Sequence, residues 1–246
     1  MDINIIYEDD EVVVVNKPAG LIVHSDGRNK EPSVVDWILS KYPALSEVGE
    51  HWKSPQNEIV PRPGIVHRLD RTTSGVMIIV KSQKAHAYIK QQFQSRTIEK
   101  HYVAFVYGHP KANEGIIDIE IGRTKRKPRK WTALPGKHGT LRSAVTGWKV
   151  LARSVNAETN EPVTYMSVSP KTGRTHQIRV HLKAIHHPIV CDHIYAPKKQ
   201  CILGFTRPAL HAESISFNLL HGERKTCKAP LPEDFENALV RFQPLR

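Results

Sequence analysis

A charged turn between two apolar segments, within residues 64–82, constrains the fold of this chain more than any other stretch. The apolar runs on either side predict two extended segments that enter the core. The turn itself, residues 67–75, contains one carboxylate, Asp70, between Arg68 and Arg71, followed by three hydroxyl residues. An aspartate in a turn commonly pairs with a neighbouring arginine and only shapes the chain. Two arginines are more cation than one structural carboxylate requires, so the turn is also a candidate for chemistry.

The overall charge favours a polyanionic partner. The 246 residues carry a net charge of +12 and 14 histidines, and a surplus of this size most often accompanies nucleic acid binding. The three cysteines form no C-x-x-C pair, which predicts reduced thiols without a disulfide framework. No signal peptide and no apolar run of about 18 residues is present, so we expect a cytoplasmic protein without a membrane span.

Local patterns predict a mixture of strands and short helices. Ser33 and Asp36 have the spacing of a capping box, Ser82 is expected to begin a helix that ends near Ser95, and Thr175 is expected to cap a helix. Residues 44–63 are expected to form a long surface loop, and the chain from Pro230 a polar tail with a short helix. Residues 3–16 are expected to form two short strands around an acidic turn, and further strands are predicted at residues 102–107, 116–121, 145–151, 163–169 and 210–217.

Residues 123–142 form a basic arm with Trp131 and two prolines but no carboxylate. Such a segment is either a solvated, mobile loop or an arm that contacts phosphates and offers an aromatic ring for stacking. We favour the second interpretation. The RNA-backbone candidates are Lys125, Arg126, Lys127, Arg129 and Lys130.

Several common sites are excluded by their absence from the sequence. There is no phosphate-binding G-x-x-x-x-G-K-[ST], no G-x-G-x-x-G and no G-x-S-x-G. His186, His187, Cys191 and His193 lie within eight residues, but their spacing matches neither usual zinc pattern. We therefore expect neither a cofactor nor a metal.

The turn and several other segments together resemble the RluA-type pseudouridine synthases. Residues 67–75, H-R-L-D-R-T-T-S-G, match the H-R-L-D-x-x-T-S-G signature of that family at every position. Residues 7–20, 100–104, 173–182, 210–212 and 229–232 resemble its other motifs, in the same order along the chain. The resemblance covers roughly residues 5–235.

This resemblance implies an α+β fold with a mixed, mostly antiparallel sheet in two halves and an active cleft across the middle. It implies that a uridine in ribosomal or transfer RNA is detached at its N1–C1′ bond, turned and rejoined through C5, without cofactor or metal. We expect one catalytic domain spanning residues 1–246, acting as a monomer. Many relatives carry an N-terminal S4-type RNA-binding domain, for which the sequence before residue 5 leaves no room.

The roles of individual residues also follow from the resemblance. Asp70 corresponds to the family's nucleophile, and Arg179 to its basic partner, which would pair with Asp70. Tyr102 corresponds to the residue that stacks on the base and removes the C5 proton. Arg68 would occupy the space of the flipped nucleotide, because the uridine must leave its stack. The remaining substrate-binding candidates are His67, Arg71 and Leu182.

Two positions depart from the family pattern, since His186 and Cys191 stand where glycine is common. The main alternative to an active enzyme is an RNA-binding or ribosome-assembly protein that keeps the fold without the chemistry. Such a protein would not need Asp70, Tyr102 and Arg179 together, so their joint presence favours the enzyme. A metal-dependent nuclease would instead cleave the chain and respond to chelators.

Overall fold

The computed structural model describes residues 2–25, 31–50, 52–53, 59–60, 62–125 and 130–245. The chain divides into two compact units, of which the first comprises Met1–Glu99 and Ala212–Pro230 and the second Lys100–His211 and Leu231–Arg246. The strands in chain order are β1 Asn4–Glu8, β2 Val12–Lys17, β3 Trp52–Lys53, β4 Ile59–Val60, β5 Ser74–Val80, β6 Glu99–Tyr107, β7 Glu114–Asp118, β8 Ile121–Thr124, β9 Trp131–Thr132, β10 Lys137–Arg142, β11 Val145–Val155, β12 Pro162–Pro170, β13 Leu210–Asn218 and β14 Arg224–Lys228. The helices are α1 Val34–Lys41, α2 Gln83–Ser95, α3 Gln177–Ala184 and α4 Glu233–Arg241.

The first unit is built around β2 and β5. β2 pairs antiparallel with β1 on one side and with β5 on the other, β13 follows β5, and β14 pairs with β13. Four consecutive valines of β2 and all seven residues of β5 are buried. Strands with neighbours on both edges and packing on both faces favour such continuous β-branched runs, as the sequence predicts. The predicted strand–turn–strand at residues 3–16 is confirmed.

Two predicted helix caps in the first unit are confirmed. The backbone N–H of Asp36 donates to Ser33 Oγ at 3.3 Å, and the backbone N–H of Ser33 donates to the Asp36 carboxylate at 2.8 Å. Ser82 accepts a hydrogen bond from the Ala85 N–H at 3.1 Å and begins α2, which ends at Ser95. The long loop predicted for residues 44–63 also contains a 3₁₀ turn at Pro43–Leu45 and the short β3–β4 pair.

The second unit has an antiparallel sheet in the order β6-β12-β11-β7 and a separate three-stranded sheet, β10-β8-β9. Its core surrounds Phe105, whose ring lies 4.7 Å from Tyr165, 5.5 Å from Phe205, 5.7 Å from Phe235 and 5.4 Å from Phe242. Phe235 belongs to α4, so the segment expected to be a polar tail supplies core aromatics. Acidic residues flank Phe235 in α4, and Phe242 follows the last residue of the helix.

The fold class is confirmed: a mixed, mostly antiparallel sheet with four helices among the described residues. The single strand expected at residues 116–121 is instead two strands, β7 and β8, which belong to different sheets. Within the described ranges, no helix combines the length and apolarity that crossing a bilayer requires.

Candidate active site

The turn that carries Asp70 is fixed from within the first unit. The Thr73 N–H donates to Asp70 O at 3.0 Å, closing the turn, and the Gly20 N–H donates to Arg71 O at 2.8 Å. The ammonium of Lys17 donates to the same Arg71 carbonyl at 3.3 Å. Lys17 is fully buried. A buried charge is tolerated only when several acceptors surround it, so Lys17 ties the backbone next to Asp70 to the segment 17–21.

Lys17 has further acceptors in that segment, the carbonyl oxygens of Pro18 at 2.8 Å and Leu21 at 2.9 Å. The sequence indicates this lysine only as part of a motif, since its long-range contact to the turn spans 54 residues. At the other end of the turn, Gly75 has a φ of +117° and leads into β5. A Cβ at this position would lie 2.1 Å from Ala212 O, so only glycine fits.

His67, Arg68 and Arg71, which are predicted to bind substrate, have different surroundings. His67 stacks on Phe93 at 4.8 Å and accepts a hydrogen bond from the Ile78 N–H at 2.9 Å. Arg68 is exposed and donates to the ring of His24 at 3.2 Å. Arg71 forms an ion pair with Glu31 and donates to Gly20 O at 3.1 Å.

Arg179 lies in α3 of the second unit, within a buried bidentate ion pair. Its Nε donates to Asp192 Oδ2 at 2.7 Å and its NH2 to Asp192 Oδ1 at 2.9 Å. The guanidinium carbon also lies 5.1 Å from the centre of the Tyr195 ring. The fork geometry fixes the guanidinium in one orientation. The sequence does not identify Asp192 as this partner, and the expected pairing of Arg179 with Asp70 stays a prediction.

The start of α3 corrects one prediction, because Thr175 does not cap the helix. The N-cap is His176, whose φ of 56° is left-handed and whose side chain makes no capping bond. The side-chain Oε1 of Gln177 accepts hydrogen bonds from Thr172 at 2.6 Å and from the Arg174 N–H at 3.0 Å. Both donors precede the helix, so this amide holds the segment that leads into α3 and does not cap it.

A buried polar chain anchors α3 against β11. The Gln177 amide donates to Thr146 Oγ1 at 2.9 Å, and Thr146 lies 2.9 Å from His181 Nδ1. His181 Nε2 lies 2.9 Å from Ile119 O, a pure acceptor, so Nε2 carries the proton and Nδ1 accepts from Thr146. Burial lowers the pKa of His181, although the Ile119 carbonyl and the charge of Asp118 oppose this effect. The imidazole is therefore held neutral within this chain.

Tyr102 and Leu182 belong to the same hydrophobic core of the second unit, in which Leu182 is fully buried and Tyr102 partly buried. Lys100 lies two residues before Tyr102 in β6, so the two side chains share one face of the strand. Burial and the charge of Lys171 lower the pKa of Lys100 to about 8. The sequence gives no sign of this shift, since it depends on packing. Asp70 belongs to the first unit, and its convergence with Tyr102 and Arg179 stays a prediction.

Both departures from the family pattern have left-handed backbone, with φ of 66° at His186 and 58° at Cys191. His186 terminates α3: its N–H donates to Lys183 O at 3.0 Å and the His187 N–H donates to Leu182 O at 2.9 Å. These two bonds define a Schellman motif, in which glycine is the usual residue at the position of His186. This backbone geometry is the one that glycine adopts without strain.

The cysteines correct a second prediction, because Cys191 and Cys201 form a disulfide. Cys227 is a buried free thiol whose pKa is raised by burial. The described residues include one group with metal-ligand proximity, Cys191, His193 and Cys201. Its two sulfurs are bonded to each other and are therefore not thiolate ligands. His186 and His187, the other members of the sequence cluster, are not part of the group.

The basic arm contains the small sheet of β8, β9 and β10. Arg123 lies 4.7 Å and Arg142 5.8 Å from the centre of the Trp131 ring, so two cations flank the aromatic residue that the sequence singles out. Lys125 is exposed, and Lys130 donates to Ile194 O at 3.2 Å. Arg126, Lys127 and Arg129 lie outside the described residues.

Comparison with known proteins identifies the family. A sequence model of the family described as RNA pseudouridylate synthase matches residues 11–184 of this chain. The chain is 37% identical to Uncharacterized RNA pseudouridine synthase YlyB of Bacillus subtilis, covering 99% of this chain and 74% of that protein. It is 38% identical to Ribosomal large subunit pseudouridine synthase D of Neisseria meningitidis, covering 97% of this chain and 61% of that protein.

Solved structures agree on the fold. Human RNA Pseudouridylate Synthase Domain Containing 1 superposes with a TM-score of 0.75 at 23% identity, covering 99% of this chain and 89% of that one. The matched range of residues includes the Asp70 turn, Tyr102 and Arg179, whose individual roles stay predictions. The chain belongs to the RNA pseudouridylate synthase family and is an RNA uridine isomerase.

Proposed function

We propose that this enzyme isomerises uridine with Asp70 as its nucleophile, after the target base has been flipped out of its stack. The observation that carries the proposal is the construction of the Asp70 turn, in which a fully buried lysine and two backbone N–H groups fix residues 70 and 71. A nucleophile must be held within a fraction of an ångström of its attack geometry, and a turn so constrained supplies that order.

The other site residues are assigned by the chemistry that their surroundings allow. Arg179 presents a guanidinium already oriented by Asp192, suitable for holding an anionic partner or a negatively charged intermediate. Tyr102 would stack on the base and accept its C5 proton. Lys100, with a pKa near 8 on the same strand face, is chemically suited to assist a phenol whose own pKa is ordinarily near 10.

Arg68 is the candidate for the space that the flipped nucleotide leaves. It is exposed, and its single recorded hydrogen bond within the described residues goes to a histidine ring, a weaker partner than a carboxylate. Extruding a base costs a few kcal/mol, and a planar cation stacked in the vacated space offsets part of that cost.

Ribosomal RNA of the large subunit is the substrate that we propose first, because a relative with 38% identity carries that substrate in its name. The basic arm, with two arginines against Trp131, supports contact with structured RNA over a wider area than one nucleotide. Pseudouridine mapping of total RNA from a deletion strain would identify the position. The expected monomeric state stays a prediction.

The nucleophile is tested by Asp70→Asn in a tritium-release assay on RNA labelled at C5 of uridine. We expect release to fall by at least about 10³-fold while RNA affinity stays within about twofold, because the amide keeps the shape but not the nucleophilic charge. Asp10→Asn, which alters an exposed aspartate of the same unit, is the matched control and should keep full activity. Full activity of Asp70→Asn would refute the assignment. Normal RNA binding without tritium release by the unmodified chain would instead favour the RNA-binding alternative.

A further inference from the structure

We propose that a pocket of the first unit, beside the Asp70 turn, binds a phosphodiester of an RNA nucleotide that flanks the target uridine. The pocket has a volume of about 320 Å³, and its polar lining comprises His24, Glu50, Trp52, Arg62, His67 and Arg68. This inference rests on the proposed function for the identity of the RNA, but its chemistry stands on the pocket itself. The volume is at the low end of ligand sites, which suits one nucleotide unit rather than a duplex.

Arg62 is the residue that points to a ligand. Its Nε is buried and has no hydrogen-bond partner among the residues that the structure describes, although its guanidinium carbon lies 4.7 Å from the centre of the Trp52 ring. A buried cationic donor without an acceptor is unfavourable, and such donors are normally satisfied by the protein or by a bound group. Burial, followed by the neighbouring charge of Arg68, lowers the pKa of Arg62. An anion in the pocket would accept the unsatisfied Nε–H of Arg62 and would stabilise the charged guanidinium.

The charge of the pocket is positive, since its carboxylate is engaged elsewhere. Glu50 forms its ion pair with Lys90 of α2. No carboxylate among the described residues forms an ion pair with Arg62 or Arg68. Two guanidinium groups that repel each other within one pocket, neither of them ion-paired with a carboxylate of the described residues, favour a ligand anion.

Neither histidine offers the pocket an acceptor nitrogen, because each ring already accepts one hydrogen bond. The Ile78 N–H can only donate, so His67 Nε2 accepts and the proton of the neutral ring is on Nδ1. Arg68 likewise can only donate to His24 Nε2, which agrees with His24 Nδ1 donating to Ser25 O at 2.9 Å. The acceptor nitrogen of each ring is therefore used. A ligand rich in acceptors and negatively charged, such as a phosphodiester, is complementary to this lining.

The place of the pocket in the chain connects it to catalysis. Arg68 lines the pocket and lies two residues before Asp70 in the same turn. A phosphate held by Arg62 would therefore fix the RNA backbone close to the nucleotide that must flip. Holding the backbone there would provide an anchor about which the target base rotates.

The test compares Arg62→Gln, Arg62→Lys and the control Lys84→Gln, which removes one exposed cation of α2 in the same unit. The affinity of each for a 20-nucleotide single-stranded oligouridylate is measured from 50 to 200 mM NaCl. Losing one phosphate contact lowers the slope of log K against log salt by about 0.7 for a single strand. The fall in affinity across this range should then be about 2.6-fold smaller for Arg62→Gln than for the unmodified chain.

We expect Lys84→Gln to keep the unmodified slope, and Arg62→Lys to keep it with weaker binding, because lysine retains the charge but not the guanidinium fork. An unchanged slope in Arg62→Gln would overturn the proposal. So would an equal loss of slope in Arg62→Lys, since that would show a general structural effect. Tritium release by the unmodified chain is measured in parallel: its absence would refute the proposed function, whereas the salt slopes decide the pocket independently.

Discussion

Replacing Asp192 by asparagine should reveal how strongly the second unit depends on the ion pair that orients Arg179. The side chains of Arg179 and Asp192 are 4% and 0% exposed and share two hydrogen bonds of 2.7 and 2.9 Å. Asparagine keeps the oxygen that accepts the N–H groups of Ile194 and Tyr195, so the turn itself should persist. The variant nevertheless leaves a buried guanidinium without its counter-charge.

The magnitude follows from that geometry. Removing one partner of a buried ion pair costs about 3–5 kcal/mol of unfolding free energy. In a chain of this length each kcal/mol lowers Tm by about 2–4 °C, so the expected decrease is roughly 6–20 °C. The control is Glu161→Gln, which removes the charge from a pair with Lys199 whose side chains are 44% and 30% exposed. That change should cost at most about 1 kcal/mol, since solvent screens the pair.

Urea denaturation followed by far-UV circular dichroism measures both variants, with tritium release as a second readout. Asp192→Asn should lose activity even at temperatures where it is fully folded, because the guanidinium is no longer held in one orientation. The double variant Asp192→Asn with Arg179→Met should recover stability relative to the single change, since no uncompensated charge remains. A destabilisation by Asp192→Asn within 1 kcal/mol of the control, or no recovery in the double variant, would refute the reasoning.

Two further predictions concern the ends and the anchoring of α3. His186→Gly should raise the unfolding free energy by about 0.5–1 kcal/mol, because glycine adopts the left-handed C′ conformation without the strain of a side chain. Denaturation in urea measures this change, and the control Lys183→Gly, inside the helix, should lower the unfolding free energy instead. Because the pKa of His181 is lowered in the folded chain, the unfolded chain binds a proton on this imidazole more readily, and the stability that it contributes above about pH 6.5 falls as the pH drops below that value. His181→Gln should therefore reduce the dependence of Tm on pH between about pH 7.5 and 5, and an unchanged dependence would contradict the assignment.

Much of the framework follows from local sequence. The valine run of β2, the capping box of α1, the serine cap of α2 and the strand β13 each depend on neighbours within a few residues, and all are confirmed. The turn at Asp70 is identifiable for the same reason. The contact from Lys17 that holds this turn cannot be identified from local sequence, because it spans 54 residues.

The features that the sequence did not predict all depend on tertiary contacts. Thr175 does not cap α3, and the side chain of Gln177 instead binds Thr172 before the helix and Thr146 on β11. Cys191 and Cys201 come together only through the fold of the loop between them, which no spacing rule anticipates. The partner of Arg179 lies 13 residues away, in a segment whose conformation depends on packing. Electrostatic properties such as the lowered pKa of Lys100 depend on burial and are not encoded locally.

The burial of Lys17 also has a consequence for chemical labelling. An amine reacts with an acylating reagent only when it is accessible and unprotonated, and the Lys17 ammonium is sealed from solvent with three carbonyl acceptors around it. Exposed lysines such as Lys84 will therefore be modified first in the native protein. Acetylation of Lys17 will occur only when the segment that supports Asp70 opens, so its rate of labelling measures how often the catalytic turn comes apart.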